Sequence, residues 1–398
     1  MIDLTAWLRY LEALPSGLSN NSLVRVKSIA QKLGLLSFSE KIIVVGGTNG
    51  KGSCVIFLEA ILLAAGLKTG AFISPHVLRY NERIRLNGKD IDDATLCRIF
   101  TQIENARGNT VLSHVEFSTL AALATFKKKK VDVLILEVGL GGRFDAVNIL
   151  DADIAIITTI SLDHTKILGN TREAIGREKA GIMRAFKPVI CGDDDIPKSI
   201  YAAAKRTKAV LYSANKGFSF ARPKLPIASA RAALMAIKLL QKDLKISKKA
   251  IVTGLKKAFL IGRMQRIIAA NREIIFDVAH NPESAVLLAQ NLVKRASKGH
   301  NLAVLSMLSD KNITATLRPL TKIVDKWYLG ALTGSRATST GQLARCLIKA
   351  GASNFVALPT VAGALKQAIA ECRIKDRIVV FGSFHTVAEG LRVFNSGD

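Results

Sequence analysis

Ile42-Ile43-Val44-Val45-Gly46-Gly47-Thr48-Asn49-Gly50-Lys51-Gly52-Ser53 is the stretch that decides the fold. Four apolar, mostly β-branched residues read as a buried strand. A glycine-rich turn with one lysine follows. Residues 54–65 then run apolar at helical spacing and stop at Gly66, a helix-ending glycine. Strand, glycine turn and helix together make a phosphate-binding layout, because glycines let backbone N–H groups close on phosphate oxygens and the helix N-terminus adds a favourable field. Lys51 would reach the β- and γ-phosphates, and the Ser53 hydroxyl would face Mg²⁺. The fit to the general P-loop pattern is imperfect: Val45 stands where a glycine is usual, and Gly52 separates Lys51 from Ser53. The plain alternative is an ordinary strand-to-helix turn that happens to carry a lysine.

Working outward, residues 1–40 read as two amphipathic helices. Leu4, Leu8, Leu11 and Leu14 mark the first, and residues 23–33 the second, closed by Gly34. Downstream of the glycine turn, residues 69–73, 131–136 and 154–160 read as strands. Residues 94–104 (capped by Asp92 or Asp93) and 117–126 read as helices. This alternation predicts a doubly wound, mostly parallel sheet, an α/β class in which ligands gather beyond the carboxyl ends of strands. Ser74, Glu137 and His164 all fall at such ends. After an Ala-rich helix over 228–240 and a junction over 254–262, strands at 274–276, 302–305, 326–329, 355–356 and 378–381 alternate with helices. They predict a second, smaller Rossmann-like α/β domain. The expected division is 1–262 and 263–398.

At 398 residues the chain can bury two cores, and its 49% apolar content suits a globular protein. No apolar run is long enough to span a bilayer, and the opening Met1-Ile2-Asp3-Leu4 does not read as a signal peptide. Five scattered cysteines without a CxxC pair suit a reducing cytoplasm and no structural zinc. The net charge of +26 raises the question of a nucleic-acid partner. Against it, the only dense basic run is 127–130, which reads as a solvated helix end, and aromatics are not interleaved as a stacking surface requires. No nucleic acid and no membrane partner are expected; acidic small substrates, or simply a lysine-rich surface, fit the charge better.

Other residues carry chemistry only in combination. Glu137, ahead of Val138-Gly139-Leu140-Gly141-Gly142-Arg143, is an oxygen ligand suited to Mg²⁺, or a helix cap or surface ion pair. His164 is a metal ligand or an ordinary histidine. Lys179 lies on a predicted helix, where a lysine usually faces solvent. Asp277, before Val278-Ala279-His280-Asn281-Pro282, suits a ribose hydroxyl or the cap of the following helix.

Taken in order, these segments resemble the folylpolyglutamate synthase/dihydrofolate synthase family, a Mur-ligase-like group of ATP-dependent amide-forming ligases. The resemblance runs from Trp7 to Phe394. Besides the glycine turn it rests on Ser74-Pro75-His76, Asn81-Glu82-Arg83-Ile84, the Glu137 segment, Leu162-Asp163-His164-Thr165, Glu178-Lys179-Ala180-Gly181, the Asp277 segment and Gly382-Ser383-Phe384-His385-Thr386-Val387. In that family a glycine after the lysine is normal.

The resemblance implies that Asn49, Gly50, Lys51, Gly52 and Ser53 bind the ATP phosphates. It implies that Arg263 and Asp277 contact the nucleotide, and that Ser74, Glu137 and His164 hold Mg²⁺. Lys51, Lys179 and His164 carry catalytic roles, with Lys179 at the position that is carbamylated in the family. Ala13, Leu14, Pro15 and Ser16, then Ser113, His114, Val115 and Glu116, then Phe144, Asp145 and Ala146 match segments that hold the pterin substrate. Two departures stand out: Val147 where the family usually has Thr, and Ala228 where an Asn usually contacts the nucleotide.

The implied activity is addition of L-glutamate to 7,8-dihydropteroate and to reduced folates through an acyl phosphate, by a cytoplasmic monomer of folate biosynthesis. A monofunctional folylpolyglutamate synthase is the nearest alternative. A Mur-type cell-wall ligase and a P-loop nucleic-acid-binding ATPase are more distant ones.

Overall fold

The computed structural model describes residues 3–15, 22–214, 217–221, 223, 225–269, 271–295, 297 and 299–395. The chain divides into two compact units, Met1–Phe259 and Leu260–Asp398.

The first unit begins with α1 (Leu4–Ala13) and α2 (Ser22–Lys32), followed by β1 (Lys41–Gly46), α3 (Lys51–Ala64) and β2 (Thr69–Phe72). Next come β3 (Ile84–Leu86), β4 (Lys89–Asp90), α4 (Asp93–Arg107), α5 (His114–Lys129), β5 (Val133–Glu137) and β6 (Ile154–Ile157). A four-residue α6 (Thr165–Leu168), α7 (Arg172–Lys179), β7 (Pro188–Cys191), α8 (Lys198–Thr207) and β8 (Val210–Ser213) follow. The unit closes with α9 (Ile227–Leu244) and α10 (Lys248–Lys257).

Its eight strands lie in the order β4-β3-β2-β5-β1-β6-β7-β8, parallel except for the β2-β3-β4 meander. β1 is central, with Val45 level with Glu137 of β5 and with Ile156 of β6. Both faces are covered, so β1 and β5 carry continuous apolar runs rather than alternation. The strand order reverses beside β1, so the turns leaving β1, β5 and β6 meet at one end of the sheet.

Local chemistry sets the element ends. Asp92, not Asp93, caps α4, accepting from the Thr95 N–H at 2.7 Å. Ser113 and Glu116 form a reciprocal capping box on α5. Lys127, Lys128 and Lys129 end α5 on the surface, as the charge run implied. Lys127 lies over the Phe38 ring and donates to the Ser37 carbonyl. Trp7 of α1, Phe100 of α4 and Phe117 of α5 pack edge to face at 5.5–5.6 Å, joining the N-terminal helices to the core.

The second unit contains β9 (Gln265–Ala269), β10 (Arg272–Asp277), α11 (Pro282–Lys294), β11 (Asn301–Leu305) and α12 (Ile313–Leu317). It continues through β12 (Lys326–Gly330), α13 (Thr340–Ala350), β13 (Phe355–Leu358), α14 (Val361–Glu371), β14 (Arg377–Phe381) and α15 (Phe384–Asn395). The six-stranded order is β13-β12-β11-β14-β10-β9, with only β9 antiparallel. Ile275, Leu305, Trp327, Val379 and Phe381 lie in its core.

Candidate active site

The glycine turn is built from its neighbour strand as much as from itself. Gly47 has φ 136° and Gly50, the residue before α3, φ 83°, both in the region that favours glycine. The Thr48 N–H donates to the Thr159 carbonyl at 2.7 Å, and the Asn49 N–H donates to Thr159 Oγ1 at 3.2 Å. The Thr158 hydroxyl donates to the Asn49 carbonyl at 2.7 Å. Thr48 Oγ1 accepts from the Ser161 N–H at 3.0 Å and lies 3.2 Å from the Ser161 carbonyl. Ser229, near the start of α9, donates to the Gly50 carbonyl at 3.0 Å. α9 therefore reaches the turn at the residue after Ala228.

The helix after the turn starts at Lys51 rather than at 54, so Lys51, Gly52 and Ser53 form the first turn of α3. Lys51 Nζ donates to the Thr48 carbonyl at 3.2 Å. Ser53 is buried, and its Oγ has no hydrogen-bond partner. Among the described residues such orphans are few, and each needs an explanation.

Glu137, last residue of β5, is neither a helix cap nor a surface ion pair. It is buried, and its carboxylate accepts from the Ser74 N–H at 3.1 Å. It also raises the pKa of the buried Cys54 thiol, after burial itself, and attracts the half-buried Arg83. Lys179, the final residue of α7, does not face solvent: it is buried, and Nζ donates to the Gly47 carbonyl at 2.8 Å. His164 stands at the start of α6 with φ 50°, exposed, on the same sheet end; its N–H donates to Asp163 Oδ1 at 2.8 Å.

The donor chemistry fits Mg²⁺. A sealed serine hydroxyl without a partner and a buried carboxylate are hard oxygen ligands, and Mg²⁺ needs only one or two carboxylates when phosphates complete its shell. No group of three or more His, Cys, Asp or Glu side chains among the described residues could hold a metal by itself.

Beside this lies a second cluster of predicted residues. Asp145 is buried. Its oxygens accept from the Leu140 N–H at 2.9 Å and the Val147 N–H at 3.1 Å. Burial pushes its carboxyl up to about 6, against the pull of those N–H groups and Lys51. A Cβ on Gly139 would lie 3.3 Å from Asp145 Oδ2, 3.6 Å from the exposed Val115 and 3.7 Å from Ser74 Oγ. The structure thus gathers Ser74, Val115 and Asp145 around one point. Ala146 is buried, and Phe144 carries the Arg143 guanidinium 5.1 Å above its ring. His114 is half-buried; burial and the nearby Arg83 hold its pKa down to about 4.

Glu116 points elsewhere. Its carboxylate takes the Ser113 N–H at 2.6 Å and the Arg25 guanidinium at 2.7–3.0 Å. Ala13 ends α1, and Leu14 and Pro15 follow; Ser16 lies outside the described residues.

Arg263 and Asp277 neighbour one another in the second unit. Asp277 accepts from the N–H groups of Met264 and Ala279, both at 2.9 Å. Burial pushes its carboxyl up, and Arg263 opposes that shift. Arg263 lies 5.3 Å over the Phe384 ring. Asp277 does not cap α11: Asn281 does, in a capping box with Ser284.

Sequence reasoning missed Thr158 and Thr159, the struts of the glycine turn, which lie inside the expected strand 154–160 and look like ordinary β-formers. It quoted Arg83 without a role, yet Arg83 Nε donates to His76 Nδ1 at 2.9 Å, stacks over Tyr80 and senses Glu137. The other members of that motif shape the loop. Glu82 accepts from the N–H groups of Val77, Leu78 and Arg79 at 2.7–2.8 Å, and Asn81 donates to the Ile91 carbonyl at 2.7 Å.

Known proteins match this chain over nearly its whole length. Residues 45–247 match the Mur ligase middle domain, and residues 262–384 match the Mur ligase glutamate ligase domain. The dihydrofolate synthase/folylpolyglutamate synthase of Escherichia coli K12 is 42% identical, with 99% of this chain and 96% of that protein covered. The Haemophilus influenzae protein of the same name is 39% identical, over 97% and 96%. The structure of E. coli FolC in complex with DHPP and ADP superposes with a TM-score of 0.93 at 40% identity, covering 99% of this chain and 98% of that one. A bifunctional folylpolyglutamate synthase/dihydrofolate synthase with Mn, AMPPNP and L-glutamate bound superposes with a TM-score of 0.92 at 44% identity, with the same coverage. The chain therefore belongs to the dihydrofolate synthase/folylpolyglutamate synthase family of Mur ligases.

Proposed function

We propose that this chain joins L-glutamate to 7,8-dihydropteroate, forming dihydrofolate, and adds further glutamates to reduced folates at the expense of ATP. The observation that carries the reading is the glycine turn: Lys51 and the partnerless, buried Ser53 hydroxyl start α3, with buried Lys179 and Glu137 alongside. The solved relatives bind ADP and DHPP in one case, and Mn, AMPPNP and L-glutamate in another.

The γ-phosphate passes to a carboxylate of the pterin substrate, giving an acyl phosphate. The glutamate amine then attacks the acyl carbon and phosphate leaves. A free carboxylate is a poor electrophile, and phosphorylation supplies the leaving group. Asn49, Gly50, Lys51, Gly52 and Ser53 hold the phosphates, with Lys51 offsetting charge on the transferring group. Ser53, Ser74, Glu137 and His164 are the residues that would hold Mg²⁺, which when bound neutralises phosphoryl charge. Asp145, Val115, His114 and Phe144 line the pterin position, and Arg263 and Asp277 are nucleotide contacts. The chain acts as a monomer in the cytoplasm; among the described residues no helix is long and apolar enough to cross a membrane.

The test is ATP-dependent phosphate release with glutamate present, comparing 7,8-dihydropteroate with a tetrahydrofolate. Turnover with both is expected. Turnover with the folate alone would mean a tail-extending enzyme and would remove the pterin assignments.

A further inference from the structure

Residues 158–161 hold the glycine turn on one side and are themselves gripped on the other. Both backbone polar groups of Ile160 are taken by a single ion pair. Its N–H donates to Asp193 Oδ2 at 2.7 Å, and its carbonyl accepts from Arg172 Nε at 2.8 Å. Arg172 Nη2 reaches Asp193 Oδ1 at 3.0 Å, and Nη1 reaches Asp195 Oδ2 at 2.5 Å. The residues flanking Ile160 face the other way: Thr159 and Ser161 carry the bonds to Thr48 and Asn49.

Arg172 is also the first residue of α7, and Lys179 is its last. Lys179 Nζ binds the Gly47 carbonyl. Eight helical residues span about 10 Å, a rigid distance. α7 is thus fastened at one end to Ile160 and at the other to Gly47, and both attachments lead to the same turn. Asp193 is itself set by β7, since the Gly192 N–H that precedes it donates to the Ile157 carbonyl at 2.8 Å.

We infer that Arg172 and Asp193 are positioning residues for the nucleotide. They touch neither the turn nor the residues proposed for chemistry, and they fix the turn by clamping Ile160. The inference rests on the reading of residues 47–53 as the phosphate site. A merely structural ion pair would tie two loops together and leave nucleotide affinity alone. Arg172 also donates to the largely exposed Asp195 at its side chain and carbonyl, but only Asp193, 12% exposed, grips Ile160 itself together with Arg172.

The experiment is calorimetric titration of MgADP onto the parent, Arg172→Met, Asp193→Asn, the double variant and Arg172→Lys, with the melting temperature of each. Charged hydrogen bonds of this kind are worth a factor of ten or more when fully expressed, so each single variant is expected to weaken MgADP about fivefold or more in folded protein. The double variant is expected to be little worse than the weaker single, because both grip one residue. Arg172→Lys recovers part of the affinity. Asp193→Asn preserves shape and carries the test if Arg172→Met does not fold. Variants that melt lower yet bind MgADP as tightly as the parent overturn the positioning role alone. A parent that does not bind MgADP overturns the phosphate reading, and this inference with it.

Discussion

Gly47 and Gly382 are the same device used in two units with different sequels. Each follows a central parallel strand with a left-handed φ, 136° and 117°. Each lets its turn press against the exit of a neighbouring strand. A Cβ on Gly47 would sit 1.9 Å from Thr158 Oγ1 and 2.9 Å from the Thr158 nitrogen; one on Gly382 would sit 2.2 Å from the Ser306 carbonyl oxygen. After Gly382 the chain closes on itself. The Thr386 hydroxyl donates to the Ser306 carbonyl at 2.7 Å and pairs with Ser383 Oγ at 2.7 Å, while Ser383 accepts from the Thr386 N–H. After Gly47 the turn is held from outside, by residues 158–161, and leaves the Ser53 hydroxyl without a partner. The Gly382 turn is tied by its own hydroxyls to the Ser306 carbonyl, although the buried Ser306 Oγ beside it also lacks a partner. The Gly47 turn is tied instead to a neighbouring strand exit and to α9, and it carries Lys51 at the start of α3.

The largest break in this comparison comes from the glycines themselves. Gly47→Ala and Gly382→Ala are each expected to lose about 1–3 kcal/mol of stability from backbone strain, with the steric clash added. Urea unfolding measures it. Only Gly47→Ala is expected to cost the folded protein at least tenfold in MgADP affinity by moving the phosphate donors of the turn. Equal loss from both in the folded state would erase the distinction.

The two hydroxyls sharpen it. Thr386→Val leaves the Ser306 carbonyl and Ser383 short of a partner and is expected to cost about 1–3 kcal/mol. Ser53→Ala removes a buried group that has none, so its urea midpoint is expected to hold or rise slightly. Its Mg²⁺ requirement in turnover is expected to rise about tenfold, the scale for a lost ligand contact. A destabilised Ser53→Ala with unchanged Mg²⁺ dependence would mean that the hydroxyl serves the fold.

The smallest effect concerns pH. His114 in the folded chain titrates at about 4, below its ordinary 6.5. As pH falls the unfolded chain takes that proton first, so His114 contributes stability above pH 6.5 that is lost between 6.5 and about 4. His114→Gln should flatten the parent's decline over that window. Asp145 works in the opposite sense: raised to about 6, its contribution is full below the ordinary carboxylate range and is lost as pH rises through 6. A variant whose stability still declines with the parent's slope on acidification would take His114 out of the account.

Much of this was legible in the sequence because it is written in local pattern. The β-branched run at 42–45, the glycines of the turn, the Asp92 cap and the strand ending at Glu137 each show within a few residues. The helix start was misplaced by three residues because Gly52 and Ser53 are weak helix formers and only the geometry of Gly50 reveals that the helix has begun. β7 and β8, four residues each, were missed, as were the antiparallel strands at the edges, β4 and β9. Short strands carry too few residues for a period to declare itself. The burial of Lys179, the struts at Thr158 and Thr159 and the Arg172–Asp193 clamp are contacts between residues distant in sequence. The notion that Lys179 does more than face solvent came only from family resemblance, since a lysine in a short polar helix gives no local sign of being buried.

The most direct measurement is turnover of Lys51→Ala in protein shown to be folded by its circular dichroism and melting temperature. If residues 47–53 hold the nucleotide and Lys51 offsets the transferring charge, phosphate release falls about a thousandfold while the melting temperature stays near the parent's. Near-normal turnover in the folded variant would contradict the placement of ATP on this turn.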